Sequence, residues 1–490
     1  MAGRSVSREP IRTIRSSISS AAVPPLSFPG RPRHDVPIAA AAADDDDDDA
    51  SACAIIDLRD TKRLFSSIPT PRLVKSIVAL RLAGMNWTAD FGAWALNPRK
   101  MQDPLWRKMV LTATEHTFYH HFCAGKDLSA AAETVERLRR DGLYSMLDYG
   151  LESAGDNASC DDNSSEFLKT LDWIQGNPSL PVSFLVVKVT AICPPKILKR
   201  VSDLLRWEHK NTAFHLPWKL RTFPLFSHQS PFYHTPTKPR PLDRAEENDL
   251  TLAYRRLVRI CKRSRESGVP LLIDAEDTSI QPAIDYLAYS AAIENTPKGE
   301  EKPVVYNTIQ AYLKDSPERL VAAKRGADEM GIPLGFKLVR GAYMSSENRL
   351  AAELGVDSPI HDSVENTHSC YNSCAAFLLE EVARGASGFV VLATHNVDSG
   401  KLAARKASEL GIEKSSERVQ FAQLYSMAEA LSYGLKNGGF RVSKYIPFGP
   451  VEQIIPYLLR RAEENRGLLS SSVLDRHLMS KEVLRRIAGT

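Results

Sequence analysis

A repeated pattern of short apolar runs constrains the fold of this 490-residue chain more than any other feature. Each run is long enough for one buried strand and ends in polar, titratable or aromatic residues. Segments with helical spacing of apolar residues lie between the runs, and this alternation predicts βαβ units and a parallel sheet. The runs with this pattern are 182–192, 271–278, 304–313, 335–344, 390–400, 419–427 and the start of 443–465.

Seven strand candidates are compatible with an α/β barrel of the (β/α)8 TIM type and with an open doubly wound sheet. The open sheet usually carries a GxGxxG turn after a strand, and no such turn follows any of the runs. We therefore predict a barrel over residues 177–475, with a surface insertion at 206–244 that is rich in Pro, His and aromatic residues. No eighth strand is evident, so closure of the barrel rests partly on the resemblance given below.

The part of the chain before the barrel divides into two regions. Within residues 1–50, the first 22 are rich in Arg and Ser with Glu9 as their only acid, and six consecutive aspartates follow at 44–49. We interpret them as a mitochondrial transit peptide followed by an acidic spacer; a disordered basic tail is the alternative. Residues 51–176 are predicted to be helical, apart from a polar linker rich in Gly, Ser and Asp at 152–166. Within 142–152 the residues Asp148 and Glu152 would share one helix face, and taken alone such a pair is most often a solvated face. Residues 476–490 are predicted to form a C-terminal helix.

Composition excludes several functional classes. The net charge is +4, and no basic stripe with interleaved aromatic residues is present, so nucleic acid is not a predicted partner. Seven scattered cysteines without paired CxxC spacing predict thiols rather than disulfides or a zinc site, and no metal is expected. No run of eighteen apolar residues occurs, so no membrane-spanning helix is predicted.

Two features of the predicted barrel call for an anion. Lys188 interrupts the apolar run 182–192, and burial of an ammonium group is costly unless an anion pairs with it. Arg460 and Arg461 are adjacent on a predicted helix, and two guanidinium forks suit a carboxylate. Taken alone, such a pair is most often a solvated basic face, and that interpretation remains open at this point.

The ordered stretches LLIDAEDT, GFKLVRGAYM, VVLATHNVDSG and YIPFGP followed by LLRRAEEN resemble the proline dehydrogenase family. The resemblance covers roughly Gly142 to Ser472. It implies a barrel that binds FAD across the carboxyl ends of its strands, because side chains cannot hold the two electrons of the oxidation. It also implies oxidation of L-proline to 1-pyrroline-5-carboxylate, the first step of proline catabolism, with a membrane quinone as electron acceptor.

The resemblance assigns a substrate site with a clamp for the proline carboxylate and walls for the pyrrolidine ring. The clamp is Lys188, Arg460 and Arg461, with Glu152 orienting Arg460 and Asp274 organising the pocket through Lys188; the walls are Tyr343, Leu424 and Tyr445. Family members that prefer hydroxyproline tend to have a small polar residue at the last position, so tyrosine there favours proline.

The resemblance also assigns residues to the flavin. Lys337 would place a cation near N5, where electron density accumulates on reduction. Bacterial members have arginine at this position, so the hydrogen-bond geometry differs here. The remaining residues expected to contact the cofactor are Gln310, Val339, Gly341, Ala342, Thr394, His395, Asn396, Glu464 and Ser470.

Two alternative functions stay open on the sequence. One is a related flavin barrel that oxidises another cyclic amino acid such as hydroxyproline. The other is a non-catalytic flavin-binding or membrane-scaffold relative, which would have no need for three carboxylate-binding cations. The preferred interpretation places the protein in the mitochondrion, associated peripherally with the matrix face of the inner membrane.

Overall fold

The fold is a closed barrel of eight parallel strands. The structure is a computed structural model that describes residues 55–84, 92, 94–97, 99–151, 153–297, 299–385, 388–467 and 469–489, without the side chains of 462–467 and 469–471. The strands follow one another around the barrel in chain order, and the last one pairs with the first. They are β1 Tyr144–Tyr149, β2 Val182–Val187, β3 Leu271–Ile273, β4 Val305–Gln310, β5 Leu334–Val339, β6 Gly388–Ala393, β7 Val419–Leu424 and β8 Val442–Phe448.

Helices connect the strands and surround the barrel, as right-handed βαβ connections require. Among the described residues, five α-helices precede β1 and two follow β8. In chain order they are α1 Thr61–Leu64, α2 Thr70–Ala83, α3 Pro104–Thr114, α4 His120–Phe122, α5 Leu128–Arg140, α6 Asn157–Gly176, α7 Pro195–Lys210, α8 Arg244–Ser267, α9 Gln281–Asn295, α10 Ser316–Glu329, α11 Met344–Leu354, α12 Val364–Ala383, α13 Val397–Glu409, α14 Glu429–Asn437, α15 Val451–Gly467 and α16 Leu469–Ala488.

Successive side chains of each strand point to opposite faces of the barrel wall, and this alternation produces two apolar cores. One set of side chains points into the barrel and packs there, including Met146, Phe184 and Val391. The other set, including Leu147 and Leu185, packs between the barrel and its helices. Because both faces of every strand are covered, the strands read as nearly continuous apolar runs, which is the pattern that predicted them.

The helical interpretation of residues 142–152 is wrong, because Tyr144–Tyr149 forms β1. This strand pairs with β2 on one side and with β8 on the other, so it is the strand that closes the barrel. Met146 points into the barrel and Leu147 into the helix layer. The barrel therefore begins well before residue 177, and the helical N-terminal region is correspondingly shorter.

The polar sequence after β1 is a helix rather than the expected linker. Asp156 caps α6 by accepting a hydrogen bond from the Ser159 amide at 2.8 Å. Phe167, Leu171 and Ile174 are buried on the face of α6 that meets the barrel. The serines and acids that indicated a linker lie mostly in the first half of this helix, so its polar composition concealed one narrow apolar face.

The insertion starts after α7, because residues 206–210 still belong to that helix. Residues 211–243 contain one short 3₁₀ turn, Phe232–His234, and otherwise no regular structure. Phe223 and Leu225 are nevertheless buried in the main core. The insertion is thus an ordered excursion over the outside of the barrel, on the side of α9 and α10, where Gly326 of α10 meets Phe223 and Pro224.

The C-terminal helix begins at Leu469 rather than at residue 476 and packs on the N-terminal helices. Arg486 donates to the carbonyl oxygens of Phe65 and Ile68 at 2.8 and 2.7 Å. Glu482 is buried beside it and accepts from Arg486 at 2.7 Å. These bonds join the two ends of the described chain on one side of the barrel.

Candidate active site

Four charged side chains and one phenol form a connected network at the carboxyl end of the barrel. Lys188, directly after β2, donates to both carboxylate oxygens of Asp148 on β1, with Nζ–O distances of 2.7 and 2.8 Å. Lys337 on β5 donates to Asp274, directly after β3. Tyr445 on β8 joins the two ion pairs, because its hydroxyl accepts from Lys188 at 3.1 Å and donates to Asp274 at 2.8 Å. Five strand ends thus contribute to one polar network.

The charges of the network are balanced, since two ammonium groups face two carboxylates. Burial raises the pKa of Asp148, and the charge of Lys188 opposes this effect. Burial also acts to raise the pKa of Asp274, but the charges of Lys337 and Lys188 bring it below its ordinary value. Burial and the two carboxylates raise the pKa of Tyr445 well above its ordinary value. The phenol therefore stays protonated and does not serve as a general base.

Asp148 is the functional residue that the sequence analysis missed. Its side chain is buried, whereas a solvated helix face was the expectation from sequence alone. A signal was present: β1 is a short apolar run that ends in a charged residue, like the seven runs that were recognised. The expected partner of Lys188 was Asp274, which lies 3.7 Å from its Nζ, so Asp148 is the closer anion.

Helix α15 brings the two arginines to the same end of the barrel. Arg461 is only 6% exposed, and its guanidinium carbon lies 4.8 Å from the centre of the Tyr457 ring. Arg460 is half-buried. The turn that leads into α15 is fixed by Tyr119, whose hydroxyl donates to the Gly449 carbonyl oxygen at 2.6 Å. Burial of Arg461 excludes the solvated-face interpretation for this residue.

Three of the predicted site residues cannot be placed. Glu152 lies outside the described residues, and so do the side chains of Glu464 and Ser470. Their roles toward Arg460 and the cofactor remain predictions.

His395 links the end of β6 to the end of β7. Its Nε2 accepts a hydrogen bond from the Leu424 amide at 3.1 Å. Burial lowers the pKa of His395 to about 3, with further lowering by the cations Lys444, Arg461 and Arg340. The imidazole is therefore neutral at physiological pH and able to accept this bond. The shared influence of Arg461 and Arg340 also shows that α15 and the end of β5 reach the same region.

Arg340 and the start of α13 form a site suited to an anion. The guanidinium donates to the hydroxyl of Thr394 and, at 2.8 Å, to that of Ser399. Asn396 caps α13 by accepting from the Ser399 amide at 2.8 Å. A helix N-terminus beside a cation is the arrangement that binds phosphate groups in proteins. Thr394 and Asn396, which were predicted to contact the cofactor, are at this position.

The loop after β5 presents backbone and small side chains at the carboxyl end of the barrel. Val339 ends the strand, Gly341 and Ala342 are exposed, and Tyr343 lies half-buried at the start of α11. Gly341 has a φ of 154°, and a Cβ atom there would collide with the ring of Tyr312. Glycine is required at this position by the packing of Tyr312 beneath the loop.

Gln310 offers a buried acceptor toward the same end of the barrel. Its Nε2 donates to the Glu276 carbonyl oxygen at 3.0 Å, and its Oε1 has no hydrogen-bond partner among the described residues. A buried amide oxygen without a partner is costly, and a ring N–H of a flavin would satisfy it. Together with the cation of Lys337 and the phosphate-suited site at Arg340, these residues fit FAD.

Comparison with known proteins agrees with a barrel oxidoreductase. A family model described as Proline dehydrogenase matches residues 131–473. Proline dehydrogenase 2, mitochondrial, of Arabidopsis thaliana is 54% identical over 434 residues, which are 88% of this chain and 91% of that protein. Hydroxyproline dehydrogenase of Bos taurus is 32% identical over 384 residues, 76% of this chain and 81% of that protein.

A solved structure supports the fold alone. Proline utilization A (PutA) from Bdellovibrio bacteriovorus, inactivated by N-propargylglycine, superposes with a TM-score of 0.58 at 20% identity. The match covers 82% of this chain and 37% of that one.

The fold and the site together define an oxidoreductase built on a (β/α)8 barrel with a place for a flavin. The chain belongs to the proline dehydrogenase family. Members of this family are FAD-dependent, so the predicted family, barrel, cofactor and enzyme class are confirmed.

Proposed function

We propose that this chain oxidises L-proline to 1-pyrroline-5-carboxylate with FAD as the immediate oxidant. The observation that carries the proposal is the buried network of Lys188, Asp148, Tyr445, Asp274 and Lys337 at the carboxyl end of the barrel. When bound there, FAD takes up the two electrons and the hydrogen that leave the substrate carbon next to nitrogen. The protein's own residues have to bind, orient and enclose the amino acid.

The cations are placed for this task. Arg461 is buried on α15 near the carboxyl end of the barrel, and the planar fork of a guanidinium suits a substrate carboxylate. Lys188 is already paired with Asp148, so its charge is largely compensated before substrate binds. Arg461 and the half-buried Arg460 are therefore the main carboxylate ligands in this proposal, and Lys188 chiefly positions the Tyr445 hydroxyl through the bond of 3.1 Å.

The wall residues and the lysine on β5 complete the assignment. Tyr445 and Leu424 belong to neighbouring strands, where they are directly opposed in the register of β7 and β8. They would enclose the pyrrolidine ring with Tyr343. Lys337 would hold a positive charge beside the flavin ring, and its pairing with Asp274 keeps the ammonium fixed in position.

Anaerobic bleaching of the bound flavin tests the proposed reaction. L-proline is expected to bleach the visible flavin spectrum, while D-proline, with its carboxylate misplaced relative to Arg461, leaves it unchanged. trans-4-Hydroxy-L-proline is the informative competitor, since the Tyr445 hydroxyl already donates its only proton to Asp274 and has none to offer a ring hydroxyl. Faster bleaching by hydroxyproline than by proline would replace the proposed substrate, and no bleaching by any cyclic amino acid would favour a non-catalytic relative.

The protein is mitochondrial, and we infer that it delivers electrons to a quinone while bound peripherally to the matrix face of the inner membrane. Within the described residues no helix is both long and apolar enough to cross a bilayer. The proposed transit peptide lies outside the described residues.

Helix α3 supports peripheral binding to an anionic lipid surface. Leu105 and Met109 lie one turn apart on this helix and are 82% and 55% exposed, and Trp94 nearby is 51% exposed. Lys108 lies on the same face, and Lys100 packs over the Trp94 ring at 3.0 Å. Exposed apolar and tryptophan side chains with interspersed lysines are typical of helices that lie in the membrane interface.

Helix α3 also contacts α15, which carries Arg460 and Arg461 and is called the arginine helix below. Arg107 of α3 forms an ion pair with Glu452 in the first turn of α15. A membrane docked on α3 would therefore lie next to the helix that covers the substrate site, which is where a lipid-soluble electron acceptor has to arrive.

Replacing Leu105 and Met109 by glutamate is expected to lower binding to phosphatidylcholine vesicles that contain phosphatidylglycerol by about tenfold or more. The reason is that two apolar anchors are lost and two negative charges are gained. Co-flotation with the vesicles measures this. A matched control replaces Leu402 and Val364 by glutamate, because both are exposed apolar residues on other helices, 46% and 58% accessible. Equal loss in both variants, or none in the first, would contradict docking through α3.

A further inference from the structure

The loop between β7 and α14 directly follows Leu424 and has a strained backbone. Ser426 and Ala428 have φ angles of 59° and 49°, a region that residues with a Cβ atom rarely adopt. Ala428 is also the residue before α14, where a side-chain oxygen usually caps the helix, and alanine has none. The loop therefore depends on contacts from elsewhere to keep this shape.

Asp475 on α16 makes the missing cap. Its Oδ2 accepts from the Glu429 amide and its Oδ1 from the Ala430 amide, both at 2.9 Å. The side chain is 2% exposed. Burial raises the pKa of Asp475 to about 6, so the carboxylate is ionised at neutral pH and both oxygens can accept. The first turn of α14 is thus capped by a residue more than forty positions later in the chain.

Lys444 holds the loop from the opposite side. Its buried Nζ donates to the Met427 carbonyl oxygen at 2.8 Å and to the Ser432 hydroxyl at 2.6 Å. It also lies 3.0 Å from the Glu429 carboxylate. Lys444 belongs to β8, directly before Tyr445, so its position follows from the barrel itself. Asp475 is different, because it comes from a helix outside the barrel.

We propose that Asp475 is a positioning residue for the substrate site: by capping α14 it holds the loop 425–428 in place and thereby sets Leu424 against the substrate ring. This inference rests on the proposed function, in which Leu424 walls that ring. Because α16 directly follows the arginine helix α15, Asp475 also ties the element that binds the carboxylate to the element that walls the ring.

The test replaces Asp475 with asparagine, which has nearly the same shape but one acceptor oxygen instead of two. We expect the KM for proline to rise by about fivefold to tenfold, because the loop beside Leu424 becomes less ordered, with kcat and flavin content changed by less than about twofold. Hydrogen exchange of the peptide spanning 425–435 should become faster. Hydrogen exchange needs no substrate. It therefore shows whether Asp475 orders the loop even if proline is not the substrate.

Glu482→Gln is the matched control. Glu482 is a buried acid of the same helix, but its partners are Arg485 and Arg486, at 2.9 and 2.7 Å. This variant should lose thermal stability while the KM and the exchange of 425–435 stay near wild type. Adding Ala428→Gly to Asp475→Asn should restore part of the KM, because glycine adopts the positive φ without strain. The proposal is overturned if Asp475→Asn leaves the KM and loop exchange unchanged, or if Glu482→Gln alters both equally.

Discussion

Replacing Lys188 with methionine is expected to destabilise the protein by about 3–5 kcal/mol, because it leaves the buried carboxylate of Asp148 without its cation. Proline oxidation should fall below detection, since the Tyr445 hydroxyl loses one of its two charged partners. Thermal unfolding and turnover measure the two effects. The loss of stability should shrink as the pH is lowered, because protonation removes the charge that has no partner.

A double variant separates the two consequences of losing Lys188. Combining Lys188→Met with Asp148→Asn removes both charges, so most of the lost stability should return. Activity should not return with it, because the Tyr445 hydroxyl still lacks its donor. Recovery of proline turnover in the double variant would mean that the lysine matters only for folding, and the assignment of this network to the active site would be wrong.

Arg461→Met is expected to lower kcat/KM for proline by about a hundredfold or more. The change keeps the aliphatic part of the side chain but removes the guanidinium, which in the proposal makes one or two charge-assisted hydrogen bonds worth about 1.5–3 kcal/mol each. Most of the effect should appear in KM if the clamp acts equally on bound substrate and transition state. A competitive inhibitor with a ring carboxylate should weaken in parallel.

Arg405→Met is the matched control for Arg461→Met. Arg405 is exposed on α13, away from the network, so its loss should change stability and kinetics by no more than about 0.5 kcal/mol. Near-normal turnover and inhibitor affinity in Arg461→Met would show that this buried cation does not bind the substrate.

The barrel was largely predictable because most of its strands carry a simple signal. Runs such as 390–400 and 419–427 are apolar on both faces and stop at polar residues, which only a covered parallel sheet requires. β1 was missed because Ser145 and Asp148 interrupt its apolar residues and because it closely follows a strongly periodic helical segment, α5. In α6, by contrast, polar residues outnumber apolar ones, so composition indicated a linker where one apolar face was sufficient for a helix.

The site was predictable in its residues but not in its pairings. A buried lysine at 188 implies some anion, but sequence offers no way to choose between acids at 148 and 274, which come together only when the barrel closes. Asp475 is harder still, since its role depends on the missing cap and the strained backbone at Ala428. Residue types alone reveal neither the missing cap nor the strained backbone.

Closure of the barrel by β1 and β8 has a consequence for the order in which the parts of the enzyme fold. Asp148 and Tyr445 lie on these two strands, almost three hundred residues apart, and come close only when the two strands pair. During synthesis or entry into the organelle, the middle strands can collapse while the substrate half of the site is still missing. A chain interrupted before β8 lacks Tyr445 and the helix that carries Arg460 and Arg461, so the proposed substrate site is the last part of the barrel to be completed.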